Sequence, residues 1–138
     1  GIKCVADLKE IGDRAFDQIL CRHVLEHVHG PLETLQQLRP HLKLSGRIKI
    51  VVPVERMDQA PVTKELDHHL YCWNPRTLNN LLREAGYSVA EWHFEYYGAR
   101  RKLLPIYNRF GASVYSKLVR LVGRIGRFRE LVATATAT

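Results

Sequence analysis

Four histidines stand where strand ends and loops are expected to meet. His23 and His27 follow the apolar run Phe16–Cys21, and His68 and His69 lie in Asp67-His68-His69-Leu70-Tyr71, just ahead of Trp73. Imidazole takes or gives a proton near neutrality, which makes His27, His68 and His69 candidates for a general base. His23, Glu26 and His27 also recur at i, i+3 and i+4, a spacing that sets all three on one face of a helix. A histidine from 68–69 would then complete a nitrogen-and-oxygen set of the kind that divalent metals accept. The plainer reading gives Glu26 and His27 to capping a helix start and tying down neighbouring loops.

Those side chains need strands to carry them. Gly1–Val5 reads as a short strand that ends at Asp7-Leu8, and Phe16–Cys21 as a compact apolar strand covered on both faces. The chain would then run into a helix start that carries ionisable groups, and an open α/β sheet binds ligands at such strand ends. Leu32, Leu35, Leu38 and Leu42 form one apolar helical stripe opened by Pro31, which Pro40 ends or kinks. Ser45-Gly46 turns the chain into the β-branched strand Ile48–Val52, and residues 54–72 read as a long loop. Asn74-Pro75 starts a helix with Leu78, Leu81, Leu82 and Ala85 buried and Gly86 at its end. Ala90, Trp92, Phe94 and Tyr96 then alternate with Val89, Glu91, His93 and Glu95, the pattern of a half-buried strand. Between Gly98 and Arg129 lies an amphipathic helix with Val114, Leu118, Leu121 and Ile125 on one face, and Glu130–Thr138 closes as a strand.

The 138 residues suffice for one core and not for two. Cys4, Cys21 and Cys72 are odd in number and lack a CxxC spacing, which argues for reduced thiols and a cytoplasmic setting. The net charge of +7 is uneven. Residues 1–98 hold 12 basic and 13 acidic side chains, whereas 99–138 hold nine basic ones and Glu130 alone as an acid. That field suits an anionic surface, a peripheral membrane contact or an acidic partner, or is simply a solvated face. Without the aromatic and glycine patterning of RNA modules, it argues against nucleic acid.

The run Phe16–Val28 with Leu25-Glu26-His27, the helix opened by Pro31 and the strand Ser45–Pro53 follow one another in an order that resembles the central part of class I S-adenosylmethionine-dependent methyltransferases. The likeness is to the group whose fourth strand ends in Leu-Glu-His. It implies a Rossmann-like α/β sheet whose final strand returns antiparallel between two predecessors, in a single domain over 1–138 with a basic helical insertion at about 99–129. The family's glycine-rich loop has no counterpart, the chain opens on Gly1 and its only methionine is Met57, so the N-terminal strands and helices are expected to be missing. An unpaired edge at Phe16–Cys21 would then pair with residues 1–5 or with another chain, a route to self-association.

The resemblance further implies S-adenosylmethionine as cofactor. Asp7 matches the position that contacts the adenine amino group and Leu8 the one that supports the ring, while Cys21, Arg22 and His23 match the methionine side of the pocket. The histidines and Trp73 resemble acceptor-facing residues of enzymes acting on small molecules, sugars or envelope precursors, although for Trp73 packing is the favoured reading, because Asn74 beside it starts a helix that must dock on the sheet. His23, Glu26 and His27 resemble the metal site of small-RNA 2′-O-methyltransferases, but those carry Glu where this chain has His23, and no metal ligand is assigned. Without its glycine loop the piece is expected to be inactive alone. The competing reading is a non-catalytic module that binds an acidic partner or a membrane surface through its basic helix.

Overall fold

The computed structural model describes residues 4–55, 68–98 and 103–138. Its centre is the β-branched run of β2 (Leu42–Val54), where Ile48, Ile50 and Val52 share one fully buried apolar face. β2 pairs in parallel with β1 (Phe16–Arg22), setting Cys21 opposite Ile50 and Arg22 opposite Val51. On its other side β2 pairs antiparallel with β4 (Arg129–Ala137), which pairs antiparallel with β3 (Tyr87–Tyr96), so the order is β1-β2-β4-β3. The last strand therefore returns between two earlier ones, and the architecture is the expected Rossmann-like α/β sheet.

Two helices cover the apolar face. α1 (Pro31–Leu38) contributes Leu35, and α2 (Pro75–Glu84) contributes Leu78 and Leu82, against Ile48, Ile50 and Leu131. Proline at the first helical position costs α1 no hydrogen bond, because that N–H has no helical partner in any case. Pro40 ends the helix in a single 3₁₀ turn, Arg39–His41, so Leu42 starts β2 instead of extending the leucine stripe. At α2 the Asn74 side chain accepts from the N–H groups of Arg76 and Thr77, and the Thr77 hydroxyl accepts from Asn74 N. This reciprocal cap satisfies amides that the first turn leaves unpaired. Tyr87 locks the layers together: its buried hydroxyl donates to Leu35 O at 2.8 Å, and burial pushes its pKa up to about 12.

Several expectations are corrected. Cys4 and Val5 are in no strand, and Gly1, Ile2 and Lys3 lie outside the described residues, so no pairing of 1–5 with β1 is seen among them. β1 is not covered on both faces: only Cys21 is buried, and Leu20 is 66% exposed. The reason is position, since among the described residues β1 is an edge strand, paired with β2 alone, while Val51 of β2 and Val132 of β4 are buried on the second face. Ser45-Gly46 is no turn but an irregularity within β2, where the register with β1 slips between Phe16 and Gln18. β3 starts at Tyr87 and carries a bulge between Val89 and Glu91. One extra residue there puts Val89 and Trp92 on the same face, where simple alternation opposes them. Trp92 and Phe94 nevertheless remain half-exposed. Of the expected 54–72 loop, residues 56–67 lie outside the described residues and 68–72 have no regular structure.

The basic helix is also rotated from its expected setting. α3 (Leu104–Gly126) breaks at Gly111, whose φ of 79° and ψ of 178° are not helical. Beyond the break Val119 and Gly123 are buried, whereas Val114, Leu121 and Ile125 of the expected stripe are exposed. Backbone contact decides this. At Gly123 an added Cβ would lie 2.7 Å from Tyr97 N and 2.8 Å from Tyr97 C, and Gly98 faces the same crossing from the other strand of chain. Two residues without side chains let helix and sheet approach more closely than any hydrophobic stripe would. Replacing Gly123 by Ala should therefore lower stability by roughly 1–3 kcal/mol, because backbone cannot yield as a side-chain tip can. Chemical denaturation checks this; an unchanged midpoint would mean that α3 does not dock through Gly123.

Candidate functional site

β1 and β2 run in parallel as neighbours, so their carboxyl ends lie side by side. Ligands of open α/β sheets gather at such ends. Beyond β1 the chain turns sharply: His23 has φ 51°, a left-handed conformation that few non-glycine residues adopt, and its N–H still donates to Val51 O at 2.9 Å. His27 N donates to Val24 O at 3.0 Å and closes a turn. Residues 23–27 are thus not helical, and the expected single helical face of His23, Glu26 and His27 is replaced by a compact turn.

That turn still gathers the expected groups. Leu70 N donates to Glu26 O at 2.7 Å and fastens the segment after β2 onto the turn after β1. The His27 and His69 rings meet edge to face, 4.8 Å between centroids. Glu26 is fully buried, and among the described residues neither carboxylate oxygen has a hydrogen-bond donor. Two imidazole nitrogens stand near it, His23 Nδ1 at 3.9 Å and His27 Nε2 at 4.0 Å. A buried acceptor without a donor is costly, and it is suited to receive one from a ligand. One ligand atom each from Glu26, His27 and His69 lies within 4.8 Å of the others, so the set could hold a divalent cation.

Glu55 follows β2 directly and orients the second histidine. It is hydrogen-bonded to His69 Nδ1 and accepts from Cys72 Sγ at 2.9 Å. Burial works to raise the Glu55 pKa, but the bonds from Cys72 and His69 outweigh it and hold the carboxyl below its usual range. A carboxylate on one imidazole nitrogen fixes the ring and leaves the other nitrogen for chemistry. His68 is exposed, with φ 48°, and is not part of the converging group; Asp67 lies outside the described residues.

The other expected site residues are placed as follows. Arg22 donates twice from Nη2 to Glu130, at 2.9 and 3.2 Å, and its guanidinium lies 4.6 Å from the Tyr97 ring centroid. His23 Nε2 is 2.8 Å from the same Glu130 carboxylate. Both are thus committed to β4. Glu130, 4% exposed, is the site residue that the sequence reading missed; its one signal is being the sole acid in the basic last 40 residues. Cys21 is core: burial first, then the charge of Glu26, pushes its thiol up to about 11, far from a reactive thiolate. Asp7 caps the 3₁₀ turn Leu8–Ile11, accepting from Lys9 N at 2.8 Å, and Leu8 is half-buried. Trp73 packs in the core and stacks on Tyr71, the packed setting expected beside the Asn74 helix start, and not the acceptor-facing one.

Comparison with known proteins adds the wider setting. A family model described as a methyltransferase domain matches residues 5–91, well over half of the chain. No curated protein matches in sequence. Among solved structures, the [4+2]-cyclase SpnF superposes with a TM-score of 0.58 at 20% identity, covering 98% of this chain and 56% of that one. The 1,6-didemethyltoxoflavin N1-methyltransferase of Burkholderia thailandensis, with bound 1,6-didemethyltoxoflavin and S-adenosylhomocysteine, gives 0.58 at 21%, covering 92% and 46%. A SAM-dependent methyltransferase of Archaeoglobus fulgidus gives 0.52 at 18%, covering 94% and 62%. The chain spans about half the length of the first two. Identities this low speak to the fold, and one fold hosting a cyclase and methyltransferases shows that chemistry must be argued from the site.

The Glu55 clasp sets a pH dependence. Its folded pKa lies below the unfolded one, so its stabilisation is present above the ordinary carboxyl pKa of about 4 and is lost as pH falls through the depressed value. Amide protection of Leu70, corrected for intrinsic exchange, should fall in that acid range before the β2 core opens. Glu55→Gln should produce the same loosening at neutral pH; equal protection in both proteins would mean that the clasp does not hold the segment.

Proposed function

The chain belongs to the methyltransferase domain family, and on that premise we propose that it forms part of an enzyme that moves a methyl group from S-adenosylmethionine to a small-molecule, sugar or envelope-precursor acceptor. The single observation that carries this reading is the convergence of Glu26 and His27, just after β1, with Glu55 and His69, just after β2, at the carboxyl ends of adjacent parallel strands.

The residues present suit the donor in part. S-adenosylmethionine carries an ammonium and a sulfonium, and the buried carboxylate of Glu26, with neither oxygen hydrogen-bonded among the described residues, suits a cationic ligand beside it. When bound, the sulfonium supplies an electrophilic methyl carbon for in-line displacement. The chain's own work is orientation and proton transfer. In this reading His27 and His69 serve as bases toward the acceptor, with His69 held by Glu55, and the neighbouring His68 is a third candidate. Arg22, His23 and Cys21 form the wall on the methionine side, Arg22 and His23 braced by Glu130. Asp7 and Leu8 take the adenine, Asp7 keeping one carboxylate oxygen beyond the one that caps its turn.

These 138 residues contain no GxGxG between a strand and a helix, the segment that lets backbone approach the donor's methionine end. We therefore take the piece alone to bind weakly and to turn nothing over. We read residues 1–138 as one methyltransferase-like unit with α3 as a basic insertion between β3 and β4. Among the described residues the outer edge of β1 has no strand partner, and we take it to accept a further strand, from this chain or a second copy.

Titration with millimolar S-adenosylhomocysteine, followed by backbone amide shifts, tests the assignment. The expected result is weak, saturable shifts centred on Arg22, His23, His27 and His69, absent with a zwitterionic amino acid that lacks the adenosine, such as methionine. Shifts confined to α3, or none at all, would overturn it.

A further inference from the structure

We propose that the distal part of α3, residues 112–126, is a peripheral docking helix for an anionic lipid surface. The proposal is independent of the methyl-transfer reading and rests on what the Gly98–Gly123 crossing does to the helix. Because Val119 and Gly123 are turned to the sheet, the apolar residues expected to be buried point elsewhere. Val114, Leu121 and Ile125 stand at i, i+7 and i+11, one stripe of the helix, and are 46, 54 and 76% exposed.

Charge identifies the occupant. Lys117 and Arg124, seven residues apart, form a basic stripe beside the apolar one, with Arg120 behind it toward Glu95. Residues 103–128 hold no acidic side chain; of the acids nearby, Glu130 is buried and already engaged with Arg22 and His23, and Glu95 is hydrogen-bonded to His93 on the Arg120 side, away from the apolar stripe. An acidic protein partner would use the basic stripe and leave Leu121 and Ile125 in water; a second copy of this helix would bring like charges together. A headgroup layer over acyl chains is the one environment that takes both stripes at once. The helix lies on such a surface and does not cross it: no helix among the described residues is long and apolar enough to span a membrane. The 15 residues past Gly111 extend about 22 Å, ample for an interfacial contact.

The test is flotation of the 138-residue chain with phosphatidylcholine vesicles, with and without an equal part of phosphatidylglycerol. Flotation separates vesicle-bound protein from protein that has merely self-associated. The expected result is binding to the anionic vesicles only, lost between 0.1 and 0.5 M salt as exposed charges are screened. Leu121→Ser with Ile125→Ser should abolish it while far-UV circular dichroism and the unfolding midpoint stay unchanged, because both side chains are already in water. Lys117→Gln with Arg124→Gln should weaken it by roughly 20- to 30-fold, at about fivefold per basic residue near an anionic surface. Equal binding to neutral vesicles, no flotation, retention by the double serine variant, or complete displacement by polyglutamate would each overturn the proposal, the last in favour of an acidic protein partner.

Discussion

A single buried carboxylate, Glu130, fixes the geometry on which the rest of this molecule depends. It sits on β4, two strands away from β1, and reaches across β2 to hold both Arg22 and His23 at the tip of the edge strand. The energy is modest, about 1–3 kcal/mol for hydrogen bonds to a charged group, less where the partners face solvent as these do. Its importance is positional. Among the described residues β1 pairs with β2 alone and keeps an exposed face; β2 holds its backbone as far as the His23 N–H, and Glu130 is the side-chain anchor that sets where Arg22 and His23 point. The left-handed backbone of His23 and the turn that buries Glu26 both start from that fixed tip.

From there the site is built by short-range clasps. Leu70 N closes on Glu26 O and Tyr71 OH donates to His29 O, so two bonds join the segments after β1 and β2, while Glu55 holds His69 within the second of them. The product is a fully buried carboxylate without a donor among the described residues, beside two histidine rings. Folding alone does not favour such an acceptor, since burying it costs more than leaving it in water. Placed at the carboxyl ends of parallel strands, it has the character of a group kept for a ligand. The opposite face follows a different logic. Two glycines bring α3 against the sheet by backbone contact, and the helix is left with apolar side chains outward.

Much of this was legible in the sequence because period and turn chemistry decide it. The β-branched run Ile48–Val52, the Asn74-Pro75 helix start and the alternation of the last strand all specify their elements locally, whereas the antiparallel return of β4 was implied by the family resemblance and not by any local pattern. What could not be read depends on contacts distant in sequence. The rotation of α3 follows from Gly98 meeting Gly123, and no hydrophobic periodicity reports a backbone crossing. The bulge in β3 moves Trp92 to the face of Val89 by one inserted residue. The helical spacing of His23, Glu26 and His27 is not what brings them near one another: they gather through a turn, because the helix waits for Pro31. Asp7 went to its plainest role, a cap, and Trp73 to the core. Glu130 was noticed only as a lone acid, since its partners are 107 and 108 residues away.

The central claim is that Glu130 holds the tip of β1 so that the groups after β1 and β2 form one binding site. Amide hydrogen exchange of Glu130→Gln beside the unchanged chain tests it most directly. The account predicts faster exchange from His23 to His27 and at Leu70, with protection of Ile48, Ile50 and Val52 in β2 unaltered. Unchanged exchange at all of these amides would contradict it, and loss of protection throughout β2 would show that Glu130 serves the fold and not the site.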